Sequence, residues 1–260
     1  MTLVIGLKWA TEHGEAVLMT SDTKATTSLG IAYEMKKIYP ILSDDDKAIA
    51  VAGGAGDAAF IKQGVRLAEK VLLAYAEKQY PVPQDTFEGA ASEIESKLVT
   101  RLGELRRKGI EPSFQMVLGS VDLDGRASMY VFNSMGLVEA VHDNPGYAII
   151  GSGMITGGML LLKMIGYESS LELGLVSAFI IDSVSEIDTS VGPFAGESYF
   201  MRVKVDGGQK SIAFGPLTDE AVLEYKKKIG ARRELLKKLW KLSDAHGEEA
   251  VRRCLSKVHD

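Results

Sequence analysis

The segment TLVIGLKWATEHGEAVLMTSD, residues 2–22, decides the fold of this 260-residue chain. It holds two runs of β-branched and other apolar residues, at 3–7 and 16–21, separated by a polar stretch with the turn-forming pair His-Gly. This pattern predicts two strands joined by a tight turn. The first run begins directly after Thr2, although the ends of most chains are poorly ordered. We therefore expect a buried strand that fixes the position of Thr2.

The composition is that of an ordinary folded protein, with 46% hydrophobic and 25% charged residues. The formal net charge of −5 argues against a dedicated nucleic-acid binder. The one cysteine, Cys254, excludes an internal disulfide and fits a reducing compartment. No apolar run reaches the roughly 20 residues that a bilayer-spanning helix needs, and the start of the chain lacks a signal-peptide pattern. We expect a cytoplasmic protein that binds neither nucleic acid nor membrane.

Strands and helices are predicted in alternating blocks along the rest of the chain. Ile61, Val65, Ala68 and Leu72 recur every three or four residues, which predicts one face of a helix. The other predicted elements are a strand at 48–52, a helix at 86–108, strands at 114–121, 129–132 and 147–150, helices at 155–165 and 170–184, and strands at 199–205 and 211–213. Because each pair of helices can cover one face of a sheet, we expect an α+β fold, a four-layer αββα sandwich. The predicted domains are residues 1–216 and a charged helical C-terminal extension at 217–260.

The glycine-rich sequence AVAGGAGDAA, residues 50–59, admits two interpretations. Its part GAGDAA fits a dinucleotide-binding fingerprint, but Asp57 would repel a pyrophosphate at the start of the following helix. The next segment is also predicted to be helical, whereas that fingerprint requires a second strand. We favour the other interpretation, in which Asp57 caps the helix and glycine N–H groups face a developing negative charge.

Thr2 is the strongest candidate for a nucleophile. The four histidines lack metal-binding spacing, Cys254 lies in the charged tail, and no G-x-S-x-G motif occurs. Initiator Met is normally removed before a threonine, and its removal would place a free α-amine beside the threonine hydroxyl. Such an amine titrates at about 7.7–8.0 and can serve as the base for the hydroxyl. We expect a reaction that uses no metal and no cofactor.

Six short motifs follow one another along the chain. They are TLVIG (2–6), AVLMTSDTKAT (16–26), MKKIYPI (35–41), AVAGGAGDA (50–58), IIGSGM (149–154) and DTSVG (188–192). In this order and spacing the chain resembles the proteasome β-subunit family of N-terminal nucleophile (Ntn) hydrolases over residues 2–215. The resemblance implies an Ntn hydrolase fold and six catalytic residues: Thr2, Asp22, Lys37, Gly53, Ser152 and Asp188.

The resemblance implies a role for each member of this set. The hydroxyl of Thr2 would attack the scissile carbonyl while its α-amine, through a water molecule, takes the proton. Lys37, as an ammonium, would lower the proton affinity of its surroundings, and Asp22 would keep Lys37 charged and oriented. The N–H of Gly53 would stabilise the oxyanion.

Ser152 and Asp188 would orient the terminal amine, again by resemblance. The residues implied to line the substrate pocket are Ala25, Thr26, Met35, Val51 and Ala55. Because the pocket carries no charge, we expect cleavage of a peptide or unfolded protein after uncharged, apolar residues. Val191 stands where the family motif has a serine, so one polar contact to the nucleophile would be missing.

Three functions are compatible with these residues. The leading one is a threonine-type endopeptidase. The alternatives are an N-terminal-threonine peptide ligase or amidase, which passes the acyl group to an amine, and a catalytically silent proteasome-like assembly subunit. The resemblance also implies a homo-oligomeric ring or stacked rings. We expect an oligomer contact at an apolar face of the tail, formed by Leu235, Leu236, Leu239 and Trp240.

Overall fold

Two five-stranded antiparallel sheets organise the first of two units, Met1–Thr218 and Asp219–Asp260. The computed structural model describes residues 2–26, 32–167 and 172–256. Its strands are β1 (Val4–Thr11), β2 (Gly14–Ser21), β3 (Lys24–Thr26), β4 (Ala32–Glu34), β5 (Ile38–Leu42), β6 (Ala48–Gly56), β7 (Phe114–Val121), β8 (Ala127–Phe132), β9 (Val138–Ala140), β10 (Tyr147–Ile150), β11 (Ser198–Asp206) and β12 (Gln209–Pro216). The helices of this unit are α1 (Ala58–Ala76), α2 (Gln84–Arg107), α3 (Met159–Ile165) and α4 (Leu173–Ile187), with a π-helical segment at Met154–Gly158.

The first sheet has the strand order β10-β1-β2-β11-β12 and the second β5-β6-β7-β8-β9, while β3 and β4 form a separate hairpin. The start of β1 lies between two neighbours, because Val4 pairs with Ser21 of β2 and with Ile150 of β10. The predicted buried first strand is therefore confirmed. This central position holds Thr2, which directly precedes β1, against strands on both sides.

Apolar side chains fill the space between the sheets, among them Val4, Met19, Val51 and Val117. Helices α1 and α2 pack against the outer face of the second sheet. On the other side α4 contacts β2 of the first sheet. The resulting helix–sheet–sheet–helix order is the predicted four-layer αββα sandwich, and the α+β fold class is confirmed.

Helix α1 forms where the apolar spacing predicted it, and its predicted core face is buried. Asp57 caps the helix as expected, since its carboxylate accepts a hydrogen bond from the Ala59 N–H at 2.8 Å. The glycines before it do not form a loop, however, because β6 continues through Gly56. Close packing explains their presence: a Cβ on Gly54 would lie 2.2 Å from Cγ2 of Ile61 in α1.

The turns at one end of the two sheets meet backbone to backbone. A Cβ on Gly14 would lie 2.6 Å from the Cα of Gly125, and the Glu15 N–H donates to the Gly125 carbonyl at 2.6 Å. Both glycines have positive φ, at 122° and 78°, which a side chain would make costly. The two sheets are thus in direct main-chain contact at the end of β1 remote from Thr2.

The second unit consists of α5 (Asp219–His246) and α6 (Glu248–Ser256), so this segment is helical as expected. Leu235, Leu236 and Trp240 of α5 are exposed, the last at 74%. With Val251 of α6, some of these side chains border a shallow apolar depression. The side chain of Cys254 lies outside the described residues. Within the described ranges, no helix combines the length and the apolar character needed to cross a bilayer.

Candidate active site

Thr2 is 4% exposed and is held from two directions. Its hydroxyl donates to Asp22 Oδ1 at 3.2 Å, and its nitrogen lies 3.3 Å from Ser152 Oγ. Its carbonyl accepts a hydrogen bond from the Gly153 N–H at 3.1 Å. These contacts join Thr2 to the end of β2 and to the Gly-Ser-Gly segment after β10. Met1 lies outside the described residues, so its removal stays a prediction.

Asp22 is fully buried and accepts hydrogen bonds at both carboxylate oxygens. Besides the threonine hydroxyl, Oδ1 accepts from the Leu3 N–H at 2.8 Å and from Lys37 Nζ at 2.7 Å. The other oxygen, Oδ2, accepts from the N–H groups of Gly192 at 2.9 Å and Lys24 at 3.1 Å. Five donors around one buried carboxylate suit its ionised form, which only accepts hydrogen bonds.

Lys37 is 2% exposed, which is rare for a lysine. Its ammonium donates to Asp22 Oδ1 at 2.7 Å and to the Lys24 carbonyl at 2.5 Å. Burial lowers the pKa of Lys37 from its ordinary value, and the charges of Asp22 and Glu197 oppose that change. Lys37 Nζ and the hydroxyl of Thr2 thus share one acceptor atom, Asp22 Oδ1.

Asp188 lies near the Gly-Ser-Gly segment but is bonded to other partners. Its carboxylate accepts from the N–H of Ser190 at 2.9 Å and from Thr156 Oγ1 at 2.8 Å, and also from the Ser190 hydroxyl. Burial alone would raise the pKa of Asp188, but these hydrogen bonds lower it below its ordinary value. Among the described residues, no hydrogen bond joins Asp188 directly to Thr2. Its predicted role in orienting the amine stays a prediction.

Val191 is buried and apolar at a point where a hydroxyl was expected by resemblance. It packs beside the Gly-Ser-Gly segment, since a Cβ on Gly153 would lie 2.9 Å from Val191 Cγ2. The adjacent hydroxyl of Ser190 is directed to Asp188. In the described contacts, Thr2 therefore receives no hydrogen bond from a hydroxyl at position 190 or 191.

Gly53 lies within β6, where its register partners are Ile38 of β5 and Val117 of β7. A Cβ here would lie 2.6 Å from Val4 Cγ1, so the close approach of β1 requires a glycine. The next N–H along the strand, that of Gly54, donates to the carbonyl of Lys37 at 2.9 Å. The role of the Gly53 N–H as oxyanion donor stays a prediction.

The residues expected to line the substrate pocket do not share one environment. Val51 and Ala55 are buried among the apolar side chains between the sheets, and Ala25 is also buried. Met35 is half-buried and borders an open depression of about 370 Å³ that Glu197 also lines. The side chain of Thr26 lies outside the described residues. A pocket formed by this set stays a prediction.

Glu197 is a site residue that the sequence analysis missed. Its carboxylate accepts hydrogen bonds from the N–H groups of Lys37 and Ile38 and from the hydroxyl of Ser21. These partners are about 160 to 176 positions away in the chain, so no local pattern could have indicated the contact. Among the described residues, no group of three or more His, Cys, Asp or Glu side chains could hold a metal ion.

Comparisons with known proteins agree with this architecture. Residues 9–161, more than half of the chain, match the family model described as "Proteasome subunit". Among solved structures, a Gly-1 mutant of Anbu from Hyphomicrobium sp. strain MC1 is similar, with a TM-score of 0.62 and 16% identity, covering 93% of this chain and 97% of that one. Anbu from Yersinia bercovieri, described as an ancestral beta-subunit, has a TM-score of 0.63 and 14% identity, covering 91% and 96% of the two chains. No curated protein sequence matches. At such low identity the likeness to these structures shows the fold alone.

Proposed function

This chain belongs to the proteasome subunit family, and from that premise we propose that it is a threonine-type endopeptidase. Its nucleophile is the hydroxyl of Thr2, and its base is the α-amine that removal of Met1 would release. The observation that carries the proposal is the convergence of the Thr2 hydroxyl and the Lys37 ammonium on Asp22 Oδ1, at 3.2 and 2.7 Å. Burying a lysine and an aspartate beside Thr2 costs free energy, so these charged residues are not explained by the stability of the fold.

The reaction follows from these groups in two halves. Thr2 Oγ1 forms a bond to the carbonyl carbon of the scissile peptide, and its proton passes through a water molecule to the α-amine. The tetrahedral intermediate then expels the leaving amine, which takes that proton, and an ester to Thr2 remains. A second water molecule attacks the ester and gives a proton to the α-amine. The bond to Thr2 Oγ1 then breaks, and this oxygen takes that proton from the α-amine, so the new carboxyl group is released and the threonine hydroxyl is restored.

Lys37 and Asp22 act on this chemistry by electrostatics. A positive charge beside the reacting hydroxyl favours its deprotonated form, and Asp22 keeps Lys37 charged and oriented. Ser152, whose Oγ lies 3.3 Å from the Thr2 nitrogen, is placed to orient the amine once it is free. We assign oxyanion stabilisation to the N–H of Gly53, on the resemblance alone.

The proposed substrates are peptides or unfolded proteins, cut after uncharged, apolar residues. Support comes from the apolar character of Ala25, Met35, Val51 and Ala55. Fluorogenic peptides that differ only in the residue before the bond test this proposal. Faster cleavage after Leu or Tyr than after Arg or Glu is the expected result, and equal rates would contradict the assignment of the pocket.

Intact mass spectrometry with a threonine-directed electrophile, such as a peptide epoxyketone, tests the mechanism. We expect the purified protein to lack Met1 and to gain one adduct, which peptide mapping places on Thr2. The Thr2→Ala variant should gain none, and Thr2→Ser, which keeps a hydroxyl, should still react. Retention of Met1 in the native organism would overturn the proposal, because the amine would then be part of a peptide bond.

The same reagents distinguish the two other functions. A peptide ligase or amidase would form the Thr2 adduct but would transfer the acyl group to an added amine in preference to water. A silent assembly subunit would form no adduct even after Met1 has been removed from Thr2. The apolar Val191, in the position of an expected hydroxyl, is the observation that keeps the silent subunit as the second candidate. As for other members of its family, we propose assembly into a homo-oligomeric ring.

A further inference from the structure

Glu197 joins three strand ends next to the proposed site. It directly precedes β11, and its Oε1 accepts hydrogen bonds from the N–H groups of Lys37 at 2.8 Å and Ile38 at 3.0 Å. Its Oε2 accepts from the Ser21 hydroxyl at 2.7 Å, and its carbonyl accepts from the Ser21 N–H at 3.0 Å. One residue therefore connects the end of β2, the start of β5 and the start of β11.

This connection decides where the side chain of Lys37 begins. Lys37 lies just before β5, outside the regular strand pairing. Its N–H is held by Glu197, and its carbonyl accepts the N–H of Gly54 at 2.9 Å. With both main-chain groups fixed, the ammonium reaches Asp22 Oδ1 and the Lys24 carbonyl together. Without the carboxylate of Glu197, the main-chain N–H groups of Lys37 and Ile38 would lose this acceptor.

Glu197 also contributes charge. Burial raises the pKa of Glu197 from its ordinary value, and its hydrogen bonds and the charge of Lys37 oppose this change. In return the negative charge of Glu197 raises the pKa of Lys37, against the effect of burial. Other titratable groups around this pair are Asp22, Glu34, Lys36, Tyr39 and Tyr199. Glu197 is thus a second carboxylate, besides Asp22, whose charge acts on the ammonium of Lys37.

We propose that Glu197 is a positioning residue of the Thr2 site, which holds the main chain at Lys37 and Ile38 and favours the ammonium form of Lys37. Its importance for catalysis rests on the function proposed above. Its action on Lys37 does not, and can be measured without turnover. None of the six motifs contains Glu197, so the resemblance assigns it nothing.

Two substitutions separate the effects of contact and charge. Glu197→Gln keeps an oxygen for the two N–H groups, and its amide can donate to Ser21 Oγ, so the hydrogen bonds remain while the charge is lost. Glu197→Ala removes both. The matched control is Glu95→Gln, because Glu95 is also a half-buried carboxylate that accepts a main-chain N–H, that of Val138 at 2.9 Å. Circular dichroism establishes that each variant is folded.

The first measurement is the titration of Lys37 by NMR in the full chain labelled at lysine 13Cε, with the signal assigned from Lys37→Arg. We expect the titration midpoint of Lys37 to fall by about 0.5–1 pH unit in Glu197→Gln, because an attractive charge has been removed. Glu95→Gln should leave it unchanged. An unchanged midpoint in Glu197→Gln would overturn the action of charge, even if Glu197→Ala does not fold.

The second measurement is the rate of Thr2 modification by the epoxyketone across pH 6–10. In Glu197→Gln the alkaline limb, where Lys37 loses its proton, should move to lower pH with the maximal rate largely kept. In Glu197→Ala the maximal rate should fall about 10- to 100-fold, because a small displacement of a positioned group is costly. If both variants lower only the melting temperature and leave the pH profile intact, Glu197 is merely structural. If wild type forms no adduct while the NMR midpoint shifts, the proposed function fails and the action of Glu197 on Lys37 stands.

Discussion

At Asp22, one carboxylate oxygen accepts hydrogen bonds from the Thr2 hydroxyl, the Leu3 N–H and the Lys37 ammonium. Thr2, the first strand and Lys37 are therefore all bonded to the same atom. Removing one partner of such a buried ion pair typically costs about 3–5 kcal/mol, because the other charge is left unpaired. Substitutions here act on stability and on chemistry together, and each variant needs a folding measurement beside its activity.

The lowered pKa of Lys37 leads to a testable pH dependence. The unfolded chain binds the lysine proton up to about pH 10.4, whereas the folded chain releases it at lower pH. Between these values the unfolded state holds more protons, so folding becomes more favourable as pH rises. Relative to Lys37→Met, the free energy of unfolding of wild type should rise by up to about 1.4 kcal/mol per pH unit in this window.

Urea denaturation at several pH values below 10.5 measures this difference. The comparison variant is Lys47→Met, since the ammonium of Lys47 is exposed, 3.3 Å from Asp45 Oδ2 and 5.7 Å from the centre of the Tyr80 ring. Its difference from wild type should vary less with pH than that of Lys37→Met. A difference between wild type and Lys37→Met that stays constant or falls as pH rises would contradict the lowered pKa.

The motifs named Thr2, Asp22 and Lys37, and the structure brings these three together. It could not be foreseen that Glu197 and Thr156 hold the neighbouring groups, because such contacts depend on how distant strands align. Asp188 is the opposite case, because its motif is present in the sequence but its carboxylate accepts hydrogen bonds from Ser190 and Thr156. A motif identifies a residue but does not determine its hydrogen-bond partners.

At the scale of elements, β6 and α1 approach so closely that a glycine is required between them. We expect Gly54→Ala to destabilise the fold by about 1–3 kcal/mol, because the added methyl group would overlap Ile61 Cγ2. Gly103→Ala is the matched control. Gly103 lies inside α2 with no atom within 4 Å of an added Cβ, so alanine should stabilise it by about 0.5–1 kcal/mol.

Chemical denaturation measures the free energy of unfolding, which should fall in Gly54→Ala and rise in Gly103→Ala. The cause is tested in an Ile61→Ala background, where Gly54→Ala should cost less because the overlapping methyl group has gone. An equal cost in both backgrounds would mean that the contact with Ile61 is not responsible.

The sequence predicted the longer elements well and the shortest ones not at all. Helices α1 and α2 and strand β7 are long enough for the spacing of their apolar residues to show a helical or strand period. The structure has these elements close to their predicted positions. Strands β3, β4 and β9 have three residues each, too few to show alternation. The continuation of β6 through Gly56 was also missed, because glycine weakens strand propensity and its packing reason lies in α1.

At the scale of the whole molecule, we expect association through the tail to depend on its exposed apolar side chains. The double variant Leu236→Glu/Trp240→Glu should weaken self-association at least about tenfold, because each buried apolar side chain contributes about 1.5–3 kcal/mol. Sedimentation velocity should give wild type a mass well above the 28.1 kDa of one chain. A neighbouring surface change, Lys238→Glu, should leave that mass unchanged.

Two results would contradict this expectation. A wild-type protein that sediments as a single chain would remove the proposed assembly. An unchanged mass in the double variant would place the interface on another surface.

The contact between Gly14 and Gly125 has a consequence for motion. The two sheets touch at these turns, while Thr2 precedes the opposite end of β1, nine residues before Thr11, which pairs with Gly14. The sheets are joined at the Thr2 end as well, because Glu197 and Asp22, at strand ends of the first sheet, bind the main chain and the ammonium of Lys37 at the start of β5 in the second. With a link at each end, sliding of one sheet over the other should be restricted, and exchange of the Glu15, Lys37 and Ile38 amide hydrogens should be slow.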